Sequence, residues 1–370
     1  MTVSLFDALQ LRGVTFHNRI WLAPMCQYSC LERDGVPTDW HLVHLGARAA
    51  GGFGLVMTEA AAVSPEGRIS PEDAGIWNDT QADAWARIAG FIKSQGSVPG
   101  MQLAHAGRKG STYSFWHAGD GTVPADEGGW VTVGPSTIPF EGYVAPEALS
   151  LAAIGQVVAD FAAAAVRADR AGFDVVEIHA AHGYLVHEFL SPLSNARTDA
   201  YGGSLENRAR LLTDIVAAVR AVWPADKALF VRFSGTDWVE GGWTVHETST
   251  VARWVNELGA DLVDLSSGGT SAAAQIPIGP GYQVPLAAQV REESGVPTAA
   301  VGLITDPHQA AEILSSGKAD AVMLARAALR EPSWPQRAAH ELGLSRHDTP
   351  YPPQYTRGAW PAQQPASRSA

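Results

Sequence analysis

The chain has 370 residues, of which 46% are hydrophobic, and a formal net charge of −12. Its Lys and Arg residues are scattered, which argues against a nucleic-acid surface because phosphate binding needs a basic patch. The two cysteines, Cys26 and Cys30, are too few for a disulfide framework or for an iron–sulfur cluster, which needs about four thiolates.

Short apolar runs alternate along the chain with longer amphipathic ones. Several of the short runs are apolar on both faces, which is typical of strands in a parallel sheet that is covered on both sides. The predicted strands are Ile20–Met25, Leu55–Ala60, Gly100–Ala104, Phe173–His179, Leu229–Ser234, Leu262–Ser267, Thr298–Gly302 and Ala321–Ala325. Eight strands that alternate with helices predict a single (β/α)8 TIM barrel, of class α/β. A doubly wound sheet is the alternative, but the G-x-G-x-x-G turn of a dinucleotide site is absent.

Helical periodicity lies between these strands. Asp306 followed by Pro307 predicts an N-cap and a first helical residue, Gly317 predicts the end of the same helix, and Ser204 predicts another N-cap. The predicted helices are Trp40–Ala50, Ala82–Ser94, Leu151–Ala171, Leu205–Val222, Val245–Leu258, Pro285–Ser294 and Pro307–Ser316.

We expect one domain over residues 1–358 and a disordered tail over 359–370. The insertion His105–Ser150, after the third strand, is rich in Gly, Pro and Trp, and a loop of that length predicts a lid or a binding loop. The N-terminus has no signal-peptide pattern, and no apolar run reaches about 18 residues. We therefore expect a cytoplasmic protein with no membrane span.

Catalytic groups in such barrels lie at the carboxyl ends of the strands. At those ends the sequence places the following residues: Ala23, Pro24, Met25, Cys26 and Tyr28; Glu59 and Ala60; Gln102, His105, Arg108 and Lys109; His179, His182 and Tyr184; Arg232; Ser266, Ser267, Gly268 and Gly269; Gly302; and Arg326. A catalytic zinc needs three protein ligands, and His179 and His182 have no clear third beside them. Glu59 is the only carboxylate in this set, which argues against a glycosidase pair, and no G-x-S-x-G elbow is present.

The amide, imidazoles, phenols, thiol, glycines and arginines that remain suit a planar heterocycle that carries a phosphate. Gln102 and Arg232 are suited to the polar edge of a flavin ring. Gly302 and Arg326 lie after strands seven and eight, where barrels commonly bind phosphate. Spacing alone leaves the ligand open.

Four segments of the sequence indicate the ligand and the protein family more specifically. The stretches LAPMCQYS, QLAHAGRKG, FDVVEIHAAHGYLVHEFLSPLSNARTDAYGGSLENR and ARAALREP resemble the old yellow enzyme family of FMN-dependent ene-reductases. Cys26 and the late QYTRG resemble its smaller bacterial, thermophilic-like branch. The resemblance covers residues 4 to 358, and the long motif around the fourth strand is the most specific part.

The resemblance implies noncovalent FMN, NADPH as hydride donor, and electron-poor alkenes as acceptors: enals, enones, maleimides and nitroalkenes. His179 and His182 would donate hydrogen bonds to the acceptor oxygen, and Tyr184 would deliver a proton. Tyr28 would line the substrate pocket, and Cys26 would lie beside the flavin and tune its potential.

It also implies a set of cofactor-binding positions and an assembly. Arg357 matches an arginine that reaches the active site of a neighbouring subunit, so a homodimer or homotetramer is expected. Two positions depart from the family: Ala325 replaces a Gly, and RGAW carries an additional Ala. The implied flavin contacts are Ala23, Pro24, Met25, Cys26, Ala60, Gln102, Arg232, Ser267, Gly268, Gly302, Ala325 and Arg326.

Three alternatives remain open. A flavin-free lyase or sugar-phosphate isomerase would need a Schiff-base Lys or a carboxylate base at a strand end. A non-catalytic flavin-binding protein would keep the phosphate residues but would not need Tyr184. A relative of the larger dienoyl-CoA reductases would need cysteine clusters and a second nucleotide domain, and the sequence has neither.

Overall fold

The computed structural model of the protein describes residues 3–117 and 119–361. Eight parallel strands form a closed barrel in which neighbours in the chain are neighbours in the sheet, and the last strand pairs with the first. The strands are β1 (Ile20–Leu22), β2 (Leu55–Ala62), β3 (Val98–Ala104), β4 (Val175–Ala180), β5 (Ala228–Ser234), β6 (Leu262–Ser266), β7 (Thr298–Ala300) and β8 (Ala321–Leu324). The predicted (β/α)8 barrel is confirmed.

Helices connect the strands and surround the barrel. They are α1 (Asp39–Ala50), α2 (Asp79–Ser94), α3 (Leu151–Arg170), α4 (Leu185–Leu190), α5 (Leu205–Val222), α6 (Val245–Glu257), α7 (Val284–Ser294), α8 (Pro307–Ser315), α9 (Arg326–Arg330) and α10 (Trp334–Glu341). Short 3₁₀ helices cover Pro65–Gly67, Gly107–Lys109, Ala125–Glu127 and Pro353–Gly358, and short strand pairs join Leu9–Leu11 to Val14–Phe16 and Val133–Gly134 to Glu147–Ala148.

Side-chain caps set where several helices begin. Ser204 and Asp306 accept hydrogen bonds from the first turns of α5 and α8, as predicted. Helix α2 begins three residues before its predicted start because Asn78 and Gln81 form a capping box, in which each side chain accepts from the other residue's backbone. Gly317 adopts a φ of +72° just past the end of α8, a conformation that favours glycine.

Two strands end at least two residues earlier than predicted. Strand β1 stops at Leu22, just before Pro24, which has no backbone N–H to donate to a neighbouring strand. Strand β7 stops at Ala300, two residues before Gly302, whose φ of +125° does not fit an extended strand. In both cases the residues lost from the strand become loop residues at the carboxyl end of the barrel.

An aromatic cluster fills the amino-terminal part of the barrel interior. Val14 and Phe16, from the N-terminal strand pair, pack among inward-facing residues of the barrel strands. The Phe16 and Trp21 rings lie 4.8 Å apart, and Trp21 stacks on Phe230 at 5.7 Å. Because this end of the interior is packed with apolar side chains, polar groups are concentrated toward the opposite end.

Helix α3 is the one helix in residues 3–117 and 119–361 that is long and apolar enough to cross a membrane. Only 33% of its most apolar window is buried, yet the buried residues, which include Val157, Phe161 and Ala164, all belong to the core. It therefore packs as an outer helix of the barrel. Of the tail predicted to be disordered, residues 362–370 lie outside the described residues.

Candidate active site

A tight turn after β4 carries the two predicted histidines and the tyrosine. His182 adopts a φ of +60°, and its backbone is fixed on both sides: its N–H donates to Ser234 Oγ at 2.9 Å, and Lys109 Nζ donates to its carbonyl at 2.9 Å. Gly183 follows with a φ of +72°, and a Cβ there would lie 2.1 Å from the carbonyl oxygen of Gly269. Only glycine fits this position, so Gly183 is a structural requirement of the turn.

The turn brings His179, His182 and Tyr184 together. Their ring centroids are separated by 5.1 Å between the histidines, 5.1 Å from His179 to Tyr184 and 6.5 Å from His182 to Tyr184. His179 Nδ1 accepts from the Ala181 N–H at 3.3 Å, which leaves Nε2 as its donor. His182 Nε2 lies 2.7 Å from Ser266 Oγ.

The surroundings keep all three groups uncharged. Burial, reinforced by the nearby charge of Arg232, lowers the pKa of His179 and of His182 well below 6.5. Burial raises the pKa of the Tyr184 phenol well above 10. Lys109 Nζ lies 5.2 Å from the centre of the Tyr184 ring, and burial lowers the pKa of this lysine to about 8. The site therefore presents neutral imidazole donors and a protonated phenol near neutral pH.

Cys26 and Tyr28 form an adjoining wall. Tyr28 and Tyr184 belong to one apolar cluster with Cys26, and the Cys26 thiol interacts with the backbone of Ala60 and with the Tyr28 hydroxyl. Burial raises the pKa of the thiol well above its usual value, so it stays protonated. Phe115 and Trp116, on the insertion after β3, contact the Tyr28 ring edge-on at 5.8 and 5.6 Å, a packing partner of the pocket that the sequence did not indicate.

Glu59, the carboxylate that the sequence placed at the end of β2, holds the loop after β1. Its Oε1 lies 3.0 Å from His41 Nε2, and its Oε2 accepts from the Gln27 N–H at 2.9 Å. Arg108 has a similar scaffolding role, because its guanidinium donates to the carbonyls of Ile138 and Thr270.

Four polar side chains form a buried layer inside the barrel, next to the histidines. Gln102 Nε2 donates to Glu177 Oε1 at 2.7 Å, and Arg232 Nε lies 2.9 Å from Asp264 Oδ2. Gln102 and Arg232 were predicted from the sequence, whereas Glu177 and Asp264 were missed. The sequence does contain a signal for both acids, which is the alternation of side chains along a strand. Glu177 precedes His179 by two residues and Asp264 precedes Ser266 by two, so each acid lies on the same inward face as the polar residue that follows it.

A cavity of about 150 Å³ lies at the ends of β5 to β8. Its lining includes Arg232, Gly302, Ala325 and Arg326, which the sequence assigned to flavin. Ala325 has a φ of −104°, so its backbone does not need the glycine that the family has at this position. Gln283, a cavity residue that the sequence did not indicate, accepts from Ser267 Oγ at 2.8 Å and donates to the Val301 carbonyl at 3.2 Å.

The residues present fit FMN. Among the described residues, Glu177 Oε2 is buried without a hydrogen-bond partner, as expected where a ligand completes the site, and Arg232 Nε contacts only Asp264. The cavity contains Arg232, from the predicted ring end, and Arg326, from the predicted phosphate end. Gly268, with a φ of +69°, accepts from Ser234 Oγ and so fixes the loop after β6.

The structure does not bring Arg357 into this site. It lies in the exposed 3₁₀ helix Pro353–Gly358, and its side chain has no hydrogen bond or ion pair within the part of the chain that the structure describes. Its contact with a neighbouring subunit stays a prediction. No group of three or more His, Cys, Asp or Glu residues arranged to hold a metal ion occurs in residues 3–117 and 119–361.

The barrel, with a site that fits FMN at the carboxyl ends of its strands, defines a flavin-dependent oxidoreductase. The chain belongs to the NADH:flavin oxidoreductase / NADH oxidase family, which matches residues 4–345. It is 47% identical over 359 residues to the NADPH dehydrogenase of Geobacillus thermodenitrificans, covering 97% of this chain and 99% of that protein.

Solved structures agree with this assignment. Morphinone reductase superposes with a TM-score of 0.77 at 28% identity, over 93% of this chain and 91% of that one. The old yellow enzyme homologue from Zymomonas mobilis superposes with a TM-score of 0.76 at 28% identity, over 97% and 100% of the two chains. The predicted family, the oxidoreductase class and the FMN cofactor are confirmed, and the names of the relatives agree with the predicted NADPH.

Proposed function

We propose that this oxidoreductase is an NADPH-dependent ene-reductase that acts on enals, enones, maleimides and nitroalkenes. The observation that carries the proposal is the convergence of His179, His182 and Tyr184 on one turn. When bound, FMN supplies the hydride, which it takes from NADPH and passes to the β-carbon of the alkene. The protein binds the acceptor, polarises it and supplies a proton.

The two histidines hold the acceptor oxygen. Negative charge develops on this oxygen during reduction, and pre-oriented donors stabilise that charge more than the neutral ground state. His179 offers its Nε2–H, because its Nδ1 already accepts from the Ala181 N–H. His182 Nε2 faces Ser266 Oγ, which gives this ring an alternative partner when no acceptor is bound.

Tyr184 delivers the proton to the α-carbon. Its phenol stays protonated because burial raises its pKa, and Lys109 beside the ring stabilises the phenolate that forms after transfer. Lys109 itself donates to the carbonyls of His182 and Gly269, so it is a poor candidate for a Schiff base. This favours the ene-reductase over a barrel lyase.

NADPH as the donor, a cytoplasmic location and a homodimer or homotetramer complete the proposal. The relatives named NADPH dehydrogenase support the donor. The QYTRG segment, which contains Arg357, lies in an exposed 3₁₀ helix, where a second subunit has access to it.

Anaerobic stopped-flow spectroscopy tests the proposal in two half-reactions. NADPH should bleach the yellow holoenzyme, and cyclohexenone should restore its colour. His179→Ala and Tyr184→Phe should each slow the second half-reaction by about a hundredfold or more, the usual loss for an essential donor, and slow the first much less. Tyr201→Phe is the matched control, because its hydroxyl donates to Asp214 in a separate contact.

Three outcomes oppose the proposal. A colourless protein would remove the flavin chemistry altogether. A holoenzyme that NADPH bleaches but no activated alkene recolours would indicate an acceptor of another class. Reoxidation at the wild-type rate in both variants would remove His179 and Tyr184 from the chemistry.

A further inference from the structure

The buried polar layer contains two acids and one guanidinium. Glu177 and Asp264 are both fully buried, and Arg232 between their strands is 5% exposed. In the barrel register, Arg232 pairs with His179 on one side and with Asp264 on the other, so Arg232 and Asp264 lie beside His179 on the next two strands. Apolar residues fill the interior below this layer, which excludes water from it.

The ionisation of the layer follows from its contacts. Burial and the charge of Asp264 raise the pKa of Glu177 to about 8, so Glu177 is mostly protonated at neutral pH. Burial also raises the pKa of Asp264, but the charge of Arg232 opposes that rise, and the 2.9 Å contact of Arg232 Nε with Asp264 Oδ2 favours Asp264 as the acid that stays ionised. Glu177 instead accepts from Gln102. The positive charge of Arg232 is then balanced by the negative charge of Asp264.

We propose that Asp264 is a positioning residue that offsets the charge of Arg232 and thereby sets the reduction potential of the bound FMN. The inference rests on FMN binding beside Arg232, as the proposed function requires. Reduced flavin carries more negative charge than oxidised flavin at neutral pH, so an unbalanced guanidinium in the cavity wall would favour the reduced form. The Asp264 carboxylate opposes this preference, and in a dry interior the opposing charge acts strongly.

The test measures the potential of the holoenzyme by equilibrium reduction against a reference dye. Asp264→Asn should shift the potential in the positive direction. We expect the affinity for reduced FMN, relative to oxidised FMN, to rise at least tenfold, which corresponds to about 30 mV for a two-electron couple. Glu177→Gln should shift the potential less, because Glu177 is already uncharged.

Asp261→Asn is the matched control. Asp261 also pairs with an arginine, Arg12, at 2.6 Å, and accepts from the Leu229 N–H, so its loss removes an ion pair and a backbone contact near the start of β6. It contacts neither Arg232 nor Gln102. Its variant should keep the wild-type potential even if it is less stable.

A double-mutant cycle with Arg232→Gln identifies the route of the effect. If Asp264 acts through Arg232, Asp264→Asn should cause no further shift in the Arg232→Gln background. An unchanged potential in FMN-loaded Asp264→Asn, or an equal shift in both backgrounds, would overturn the inference. If Asp264→Asn does not retain FMN, a shift of the double variant relative to Arg232→Gln would still overturn the inference. A wild-type protein that binds no FMN would instead contradict the proposed function.

Discussion

At the scale of single residues, the catalytic end of this barrel is built from groups whose ordinary charges are suppressed. Burial lowers the pKa of His105 to about 4 and raises that of Glu188 to about 8, as it does for the site histidines and Glu177. Neutral donors polarise a ligand oxygen without the cost of a buried charge. Cys26, Tyr28 and Tyr184 follow the same rule, because burial keeps each of them protonated.

Because burial holds Glu177 uncharged, this residue makes the unfolding free energy of the protein depend on pH. Its pKa is near 4.5 in the unfolded chain and about 8 in the folded one, so its contribution to stability is complete below pH 4.5 and is lost as pH rises toward 8. Relative to Glu177→Gln, the wild type should lose about 1.4 kcal/mol of unfolding free energy per pH unit between pH 5 and 7. Urea denaturation of both proteins at three pH values measures this difference. Parallel pH profiles would mean that Glu177 is ionised in the native state.

At the scale of elements, helix α4 connects the active-site turn to the loop after β5. His187 Nδ1 accepts from the Gly183 N–H at 2.9 Å, and His187 Nε2 lies 3.1 Å from Asp237 Oδ1, both side chains being fully buried. Asp237 also accepts from Ser191 Oγ and from the Trp243 N–H. The strained turn that carries His182 is therefore anchored through two side chains that do not contact substrate.

Removing this anchor should be costly. Asp237→Ala leaves His187, Ser191 and the Trp243 N–H without their buried acceptor, so we expect a loss of about 3–5 kcal/mol in unfolding free energy, as for other broken buried pairs. Chemical denaturation measures the loss, with Asp39→Ala as the control, since its ion pair with Arg87 is largely exposed and should matter little. A loss no larger than the control's would show that other contacts hold α4.

The elements also show how far the sequence predicted this fold. Strands β2 to β6 and helix α5 were predicted because apolar periodicity and the Ser204 cap give local signals. Helix α4 was missed because its six residues are all buried and show no amphipathic period. Glu177 and Asp264 were missed because the period of two that places them on the inward face does not show that Gln102 and Arg232 lie beside them.

At the scale of the whole molecule, the C-terminal segment is attached to the barrel and yet exposed at its end. Gln336 on α10 donates to the carbonyls of Ala50 and Pro350, which fixes the segment to the outer helices. Beyond it, Tyr355 and Trp360 are 56% and 48% exposed. Apolar side chains exposed beside an arginine are what an intersubunit contact would cover.

The assembly can be tested at Arg357. If its guanidinium completes the site of a neighbouring subunit, Arg357→Ala should lower kcat/KM for cyclohexenone at least tenfold, about 1.4 kcal/mol in the activation barrier, while light scattering still shows the wild-type oligomer. Arg346→Ala is the matched control, because Arg346 is an exposed arginine on the same C-terminal segment, outside QYTRG.

Mixing Arg357→Ala with inactive Tyr184→Phe protein distinguishes an active site that is shared between subunits from one that is contained in a single chain. Activity should recover in mixed oligomers only if an intact Arg357 from one subunit serves the intact Tyr184 of another. A fully active monomer, or no recovery on mixing, would instead confine each active site to a single chain.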